Sequence, residues 1–171
     1  ADNIVISMAV NIDVNLAEEL AEKYFSSVPS SKKDERKVVV APKHNSIVRY
    51  KDIEQVHLAM GFPSVKRYDR LYDATMVMNS VLGGSMSSRL FQTVREKLGL
   101  AYTVYSYCTS YADTGTLVVY AVLNSENYMK SGEAINKCIA AITRNEISKE
   151  EFLRGKEQLK ASSIFAQEST S

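Results

Sequence analysis

Apolar residues recur along the chain with two periods, and the switches between those periods mark out the predicted elements. Residues 3–11 (NIVISMAVN) put Ile4, Ile6 and Met8 on one side and Val5 and Ala9 on the other, which predicts a strand covered on both faces. It begins almost at residue 1, so its partners are expected in sequence upstream of this chain. Asn15, with Glu18 three positions on, predicts an N-cap for a helix over 16–25 in which Leu16, Leu20 and Tyr24 share a face. Residues 26–37 (SSVPSSKKDERK) lose all periodicity and predict a linker. The expected organisation is a closing strand and helix over 1–28 that relate to a preceding domain, a linker over 29–45, and a main domain over 46–171.

Short runs at 38–40, 47–50 and 54–62 predict strands, the last stopping at Pro63. A helix is predicted from Asp69, with Leu71, Ala74, Met78 and Leu82 at helical spacing and Gly83 as a left-handed stop. Gly83-Gly84 then leads to Ser87 or Ser88 as the cap of a short helix, striped by Leu90, Phe91, Val94 and Leu98 and ending at Gly99. Runs at 102–108 and 116–123 flank the turn-rich segment 110–115 and predict an antiparallel hairpin. Ser125 caps a predicted helix with Tyr128, Ile135, Ile139 and Ile142 on one side, and Ser148 with Glu151 forms a capping box for the last helix. Mixed element order with hairpin-length links predicts an α+β fold, an antiparallel sheet with helices packed on one face.

Composition narrows the function. Apolar residues make up 45% and charged residues 24%, the balance of a folded domain. The 21 Lys and Arg offset 20 Asp and Glu, so no net field draws the chain to nucleic acid or to an anionic membrane, and neither partner is expected. The run 32–37 alternates in sign and reads as solvated surface. No apolar stretch approaches the roughly 20 residues of a membrane span, so a soluble, cytoplasmic chain is expected. Cys108 and Cys138 lack redox-pair spacing and read as reduced thiols.

Candidate chemistry is sparse. His44 and His57, the two histidines, sit in neither H-E-x-x-H nor H-x-x-E-H, so no zinc motif is present and metal binding by this chain is not expected. A Cys108–His57 nucleophilic pair has no spacing signature to support it. The segment 83–88 (GGSMSS) opens onto a helix N-terminus, as a phosphate loop does, but it follows a helix and carries no Walker Lys. A tight connection, or a backbone contact with an extended ligand, accounts for it better. Arg95 and Tyr102 flank the corner at Gly99, and their donors suit peptide carbonyl oxygens or a developing oxyanion. The competing reading pairs Arg95 with Glu96 or Asp69 and packs Tyr102 into the core.

The run 83–102 (GGSMSSRLFQTVREKLGLAY) resembles the second-domain signature of the pitrilysin/insulinase family, the inverzincin peptidases that include mitochondrial processing peptidase and bacterial homologues. Residues 1–10 (ADNIVISMAV), 54–58 (EQVHL) and 148–160 are similar to further family segments in the same order. The resemblance implies a half-molecule of ferredoxin-like plaits that faces a zinc-bearing half across a chamber. It implies that Arg95 and Tyr102 reach the substrate, an extended peptide, and that Gly83, Gly84 and Ser85 line its path. Ser85 stands where many relatives have a third glycine. It further implies that zinc lies outside this chain, in a catalytic half of the same chain or in a homologous subunit, and that this piece is inactive alone. A non-catalytic paralogue serving as partner or scaffold is the alternative.

Overall fold

The structure is a computed structural model and describes residues 4–29, 43–144 and 147–168. The chain divides into two units, Ala1–Val40 and Ala41–Ser171.

In the first unit, α1 spans Val14–Phe25. Its cap is Asp13, whose Oδ1 accepts the Asn15 N–H at 2.8 Å, so the helix starts two residues before the expected Asn15 cap. Asp13 holds the extended backbone a cap requires, and Asn15 already lies in the first turn. The predicted strand over 3–11 is not formed within residues 4–11. A strand exists only through its ladder, and among the described residues this segment has no partner, so its apolar side chains stand exposed. The predicted linker and the strand at 38–40 fall largely or wholly on residues 30–42, outside the described residues, and 47–50 forms no strand.

The second unit carries a three-stranded antiparallel sheet in the order β1-β3-β2: β1 is Val56–Ser64, β2 Thr103–Ser110 and β3 Gly115–Leu123. Alternation sets its inner face. Val56, Leu58, Met60 and Phe62 from β1, Val104 from β2, and Val119, Ala121 and Leu123 from β3 all pack into one core. Strand β1 runs through Pro63 where the sequence predicted a stop, because an edge strand tolerates a residue that cannot donate to the ladder. β2 and β3 form the predicted hairpin, closed by Tyr111 N–H donating to Thr114 O at 2.7 Å.

Two helices, α2, Tyr72–Leu82, and α3, Tyr128–Arg144, pack on the inner face, and α4, Lys149–Glu168, packs on α2. α2 starts three residues later than expected, after a turn in which Asp69 accepts from Leu71 and Tyr72. α3 buries Ser131, Ala134, Ile135 and Cys138 and follows a 3-10 turn over Ser125–Asn127. α4 opens on the predicted capping box: Glu151 N–H donates to Ser148 Oγ at 3.1 Å, and Ser148 N–H donates to a Glu151 carboxylate oxygen at 3.0 Å. The α+β class with helices on one face is thus the observed architecture. No helix of the described residues is long and apolar enough to cross a membrane.

Candidate functional site

The segment linking α2 to β2 gathers every residue singled out by the signature. Gly83 ends α2, but with φ at −157° it is not left-handed. Space is what it supplies: a Cβ there would stand 2.5 Å from Ser106 N, and Gly83 O accepts the Ser106 N–H at 3.0 Å. Asn79, which sequence reasoning missed, fixes this junction. Its carbonyl accepts the N–H of both Gly83 and Gly84, and its Oδ1 accepts the Ser106 hydroxyl at 2.7 Å. Gln92 then holds the loop from the other side by donating to Met86 O at 2.8 Å.

Beyond Ser88 the chain turns helical and widens into a π-helix over Phe91–Lys97. Leu90 and Val94 are fully buried, whereas Leu98, the fourth member of the predicted stripe, is 52% exposed. Leu98 caps the π-helix just before the chain turns away at Gly99. The left-handed residue is Gly99, at φ 60°. There Leu100 N–H donates back to Val94 O at 2.9 Å, and Ser131 of α3 anchors the corner by donating to Leu100 O at 3.2 Å.

Gly83, Gly84, Ser85 and Phe91 together with Thr103 and Tyr105 line an open groove of about 270 Å³. The Arg95 guanidinium lies over the Phe91 ring, 4.8 Å from its centre, and its Nε approaches Glu96 at 3.8 Å. That loose ion pair at the surface carries little energy. Tyr102 does not pack in the core. It is 75% exposed, its backbone joins the sheet by donating to Val122 O, and its hydroxyl has no partner among the described residues. No hydrogen bond joins Arg95 to Tyr102; the two sets of donors flank the Gly99 corner separately.

Arg89 is a further residue that sequence reasoning did not single out. Its guanidinium grips Glu151 with two parallel bonds of 2.7 and 2.8 Å, tying the start of the signature helix to the α4 capping box. The only sequence signal was half of it, the Ser148/Glu151 box. The Arg89 guanidinium, aided by the Ser148 bonds, holds the Glu151 carboxyl down at about 2. A carboxyl depressed in the folded state adds stability above the ordinary carboxylate range and loses it as protons return. Thermal unfolding at stepped pH is therefore expected to show melting temperature falling between about pH 5 and about pH 2, with Glu151→Gln flattening that slope.

Among the described residues no three His, Cys, Asp or Glu side chains come together. His57 hydrogen-bonds Tyr120 on the outer face of the sheet. Cys108 lies on β2 with β3 between it and β1, so no Cys108–His57 pair forms. Burial raises both thiols, Cys108 and Cys138, as expected of reduced side chains, and both are free.

A family profile described as "Peptidase M16 inactive domain" matches residues 1–159. The chain belongs to this family. The pitrilysin/insulinase-like second domain that the 83–102 signature resembles is therefore the one present. An uncharacterized zinc protease of Bacillus subtilis, YmxG, is 40% identical over 172 residues, covering 99% of this chain and 41% of that protein. An uncharacterized zinc protease of Rickettsia felis is 36% identical over 98% of this chain and 40% of its own length. The chain thus spans about two fifths of the relatives it matches. Among solved structures, a peptidase M16 inactive domain from Pseudomonas fluorescens aligns with a TM-score of 0.61 at 29% identity, over 64% of this chain and 27% of that one. A protease from Helicobacter pylori aligns over 93% of this chain and 40% of that one with a TM-score of 0.68; at 21% identity it shows the shared fold.

Proposed function

We propose that this M16 inactive domain is the substrate-holding half of a zinc metalloendopeptidase that acts on extended peptides, with the metal carried by a catalytic half of the same chain or by a homologous subunit. The observation that carries the reading is the groove of Gly83, Gly84, Ser85 and Phe91, with the Arg95 guanidinium on the Phe91 ring and the unpartnered Tyr102 hydroxyl beyond the Gly99 corner. A guanidinium offers only donors and a phenol offers an O–H donor, and peptide carbonyls are acceptors. Buried Leu90 and Val94 and the Leu100 N–H to Val94 O bond fix the backbone corner between these two donors. Gly83 and Gly84 seat this wall of the groove tightly against Ser106 and Ser80, where a side chain would not fit.

The relatives' description as zinc proteases supports the reading, since this chain matches only part of them. The test compares the full-length protein with this chain alone on a mixture of unstructured peptides. Cleavage is expected from the full-length protein only, lost on metal chelation and restored by zinc. A full-length protein that binds peptides but never cleaves them would favour the non-catalytic partner instead.

A further inference from the structure

Glu151 serves two partners at once. It accepts the Ser148 N–H in the α4 capping box, and its two oxygens take the Arg89 fork, with the side chains only 22% and 21% exposed. α4 packs along α2, and this fork carries it across to the start of the signature helix. Beside the fork a polar space of about 10 Å³, the size of one water, lies between Ser85 and Ser87 of the loop and Glu151, Arg154 and Gln158 of α4. Close packing therefore does not tie loop to helix there. Two residues beyond Arg89 stands Phe91, and the Arg95 guanidinium rests on its ring. Apart from that ring Arg95 meets the loose Glu96 contact at 3.8 Å, and its side chain is 42% exposed. Its place follows the Phe91 ring, and the ring follows the start of the helix.

We infer that Arg89 and Glu151 form a positioning pair, which sets the direction of the signature helix and, through Phe91, the place of the Arg95 guanidinium at the substrate. This rests on the peptide-holding reading above and names two further residues on which it depends. Magnitudes favour positioning over simple stabilisation. Taking two charges partly out of water offsets much of their attraction, whereas two parallel bonds to a planar fork fix orientation outright. Packing of Leu90 and Val94 sets how deep the helix lies in the core, but apolar contact is not directional, and the fork is. A shift of about 1 Å in a group that must meet a reacting centre costs up to roughly 100-fold in rate.

The test places 4-fluorophenylalanine at position 91 of the full-length protein and reads its fluorine resonance. Arg95→Gln calibrates the shift that follows when the guanidinium leaves the ring. Arg89→Lys keeps the charge but not the fork, and Glu151→Gln keeps the helix cap; each should reproduce at least about half of that shift. Glu157→Gln, at the exposed Lys160 pair of the same helix, should leave the resonance in place. In peptide cleavage Arg89→Lys is expected to lower kcat roughly tenfold with KM within about twofold, and to cost less than about twofold more once Arg95→Gln is present. An unmoved resonance in both Arg89→Lys and Glu151→Gln, each with wild-type circular dichroism, overturns the inference, as do losses from Arg89→Lys and Arg95→Gln that simply multiply. A resonance that moves in a protein that cleaves no peptide supports the placement of Arg95 by the pair and counts against the peptidase reading alone.

Discussion

Leu90→Ala is expected to destabilise the chain by about 2–5 kcal/mol, read as a lower urea midpoint at unchanged slope. Leu90 is 0% exposed, and one of its methyl groups lies where a side chain on Gly83 would have to go. Truncation opens a cavity directly beneath the glycine junction, and the hydrogen-bonded frame of Asn79, Gly83 and Ser106 limits how far the walls can collapse into it. Leu98→Ala is the control. Spaced as if on the same stripe yet 52% exposed, it should cost no more than about 0.5 kcal/mol. Equal losses at the two positions would mean that Leu98 packs as deeply as Leu90.

Tyr102→Phe in the full-length protein is expected to lower kcat by about 10²–10³ while zinc content and folding stay as they were. The substitution removes one hydroxyl from a side chain that is 75% exposed and packs little, so stability has almost nothing to lose. What it removes is a donor with no partner among the described residues, free to bond a substrate carbonyl. A rise in KM at constant kcat would instead assign the phenol to uniform binding, and unchanged kinetics would remove it from the site. Arg95→Gln should act in the same direction, without disturbing the core, since its guanidinium rests on the outside of the Phe91 ring.

Legibility in the sequence followed the range of the forces involved. The hairpin, the α4 capping box and the Leu90/Val94 stripe are set by neighbours within a few residues, and pattern found them. The role of Gly83 depends on Ser106 lying across from it, so local rules assigned it a left-handed stop that belongs to Gly99. The π-turns escaped because one and a half turns are too short to separate two helical periods. Asn79 and Arg89 escaped because their partners, Ser106 and Glu151, are 27 and 62 positions away. The segment over 4–11 has strand composition without a ladder, since composition supplies propensity and only a neighbouring strand supplies hydrogen bonds. The candidate site residues Arg95 and Tyr102 were legible through the signature alone; their residue types would have served equally for a surface ion pair and a core tyrosine.

The central claim is that the phenol at position 102 touches the peptide being cut. A photoreactive benzoylphenylalanine placed there, in the metal-stripped full-length protein mixed with a labelled peptide, tests it with no dependence on turnover. The account predicts a covalent adduct between position 102 and residues next to the scissile bond, competed away by unlabelled peptide, and none from the same probe at exposed Tyr111. Labelling at position 111 with none at 102 would contradict it.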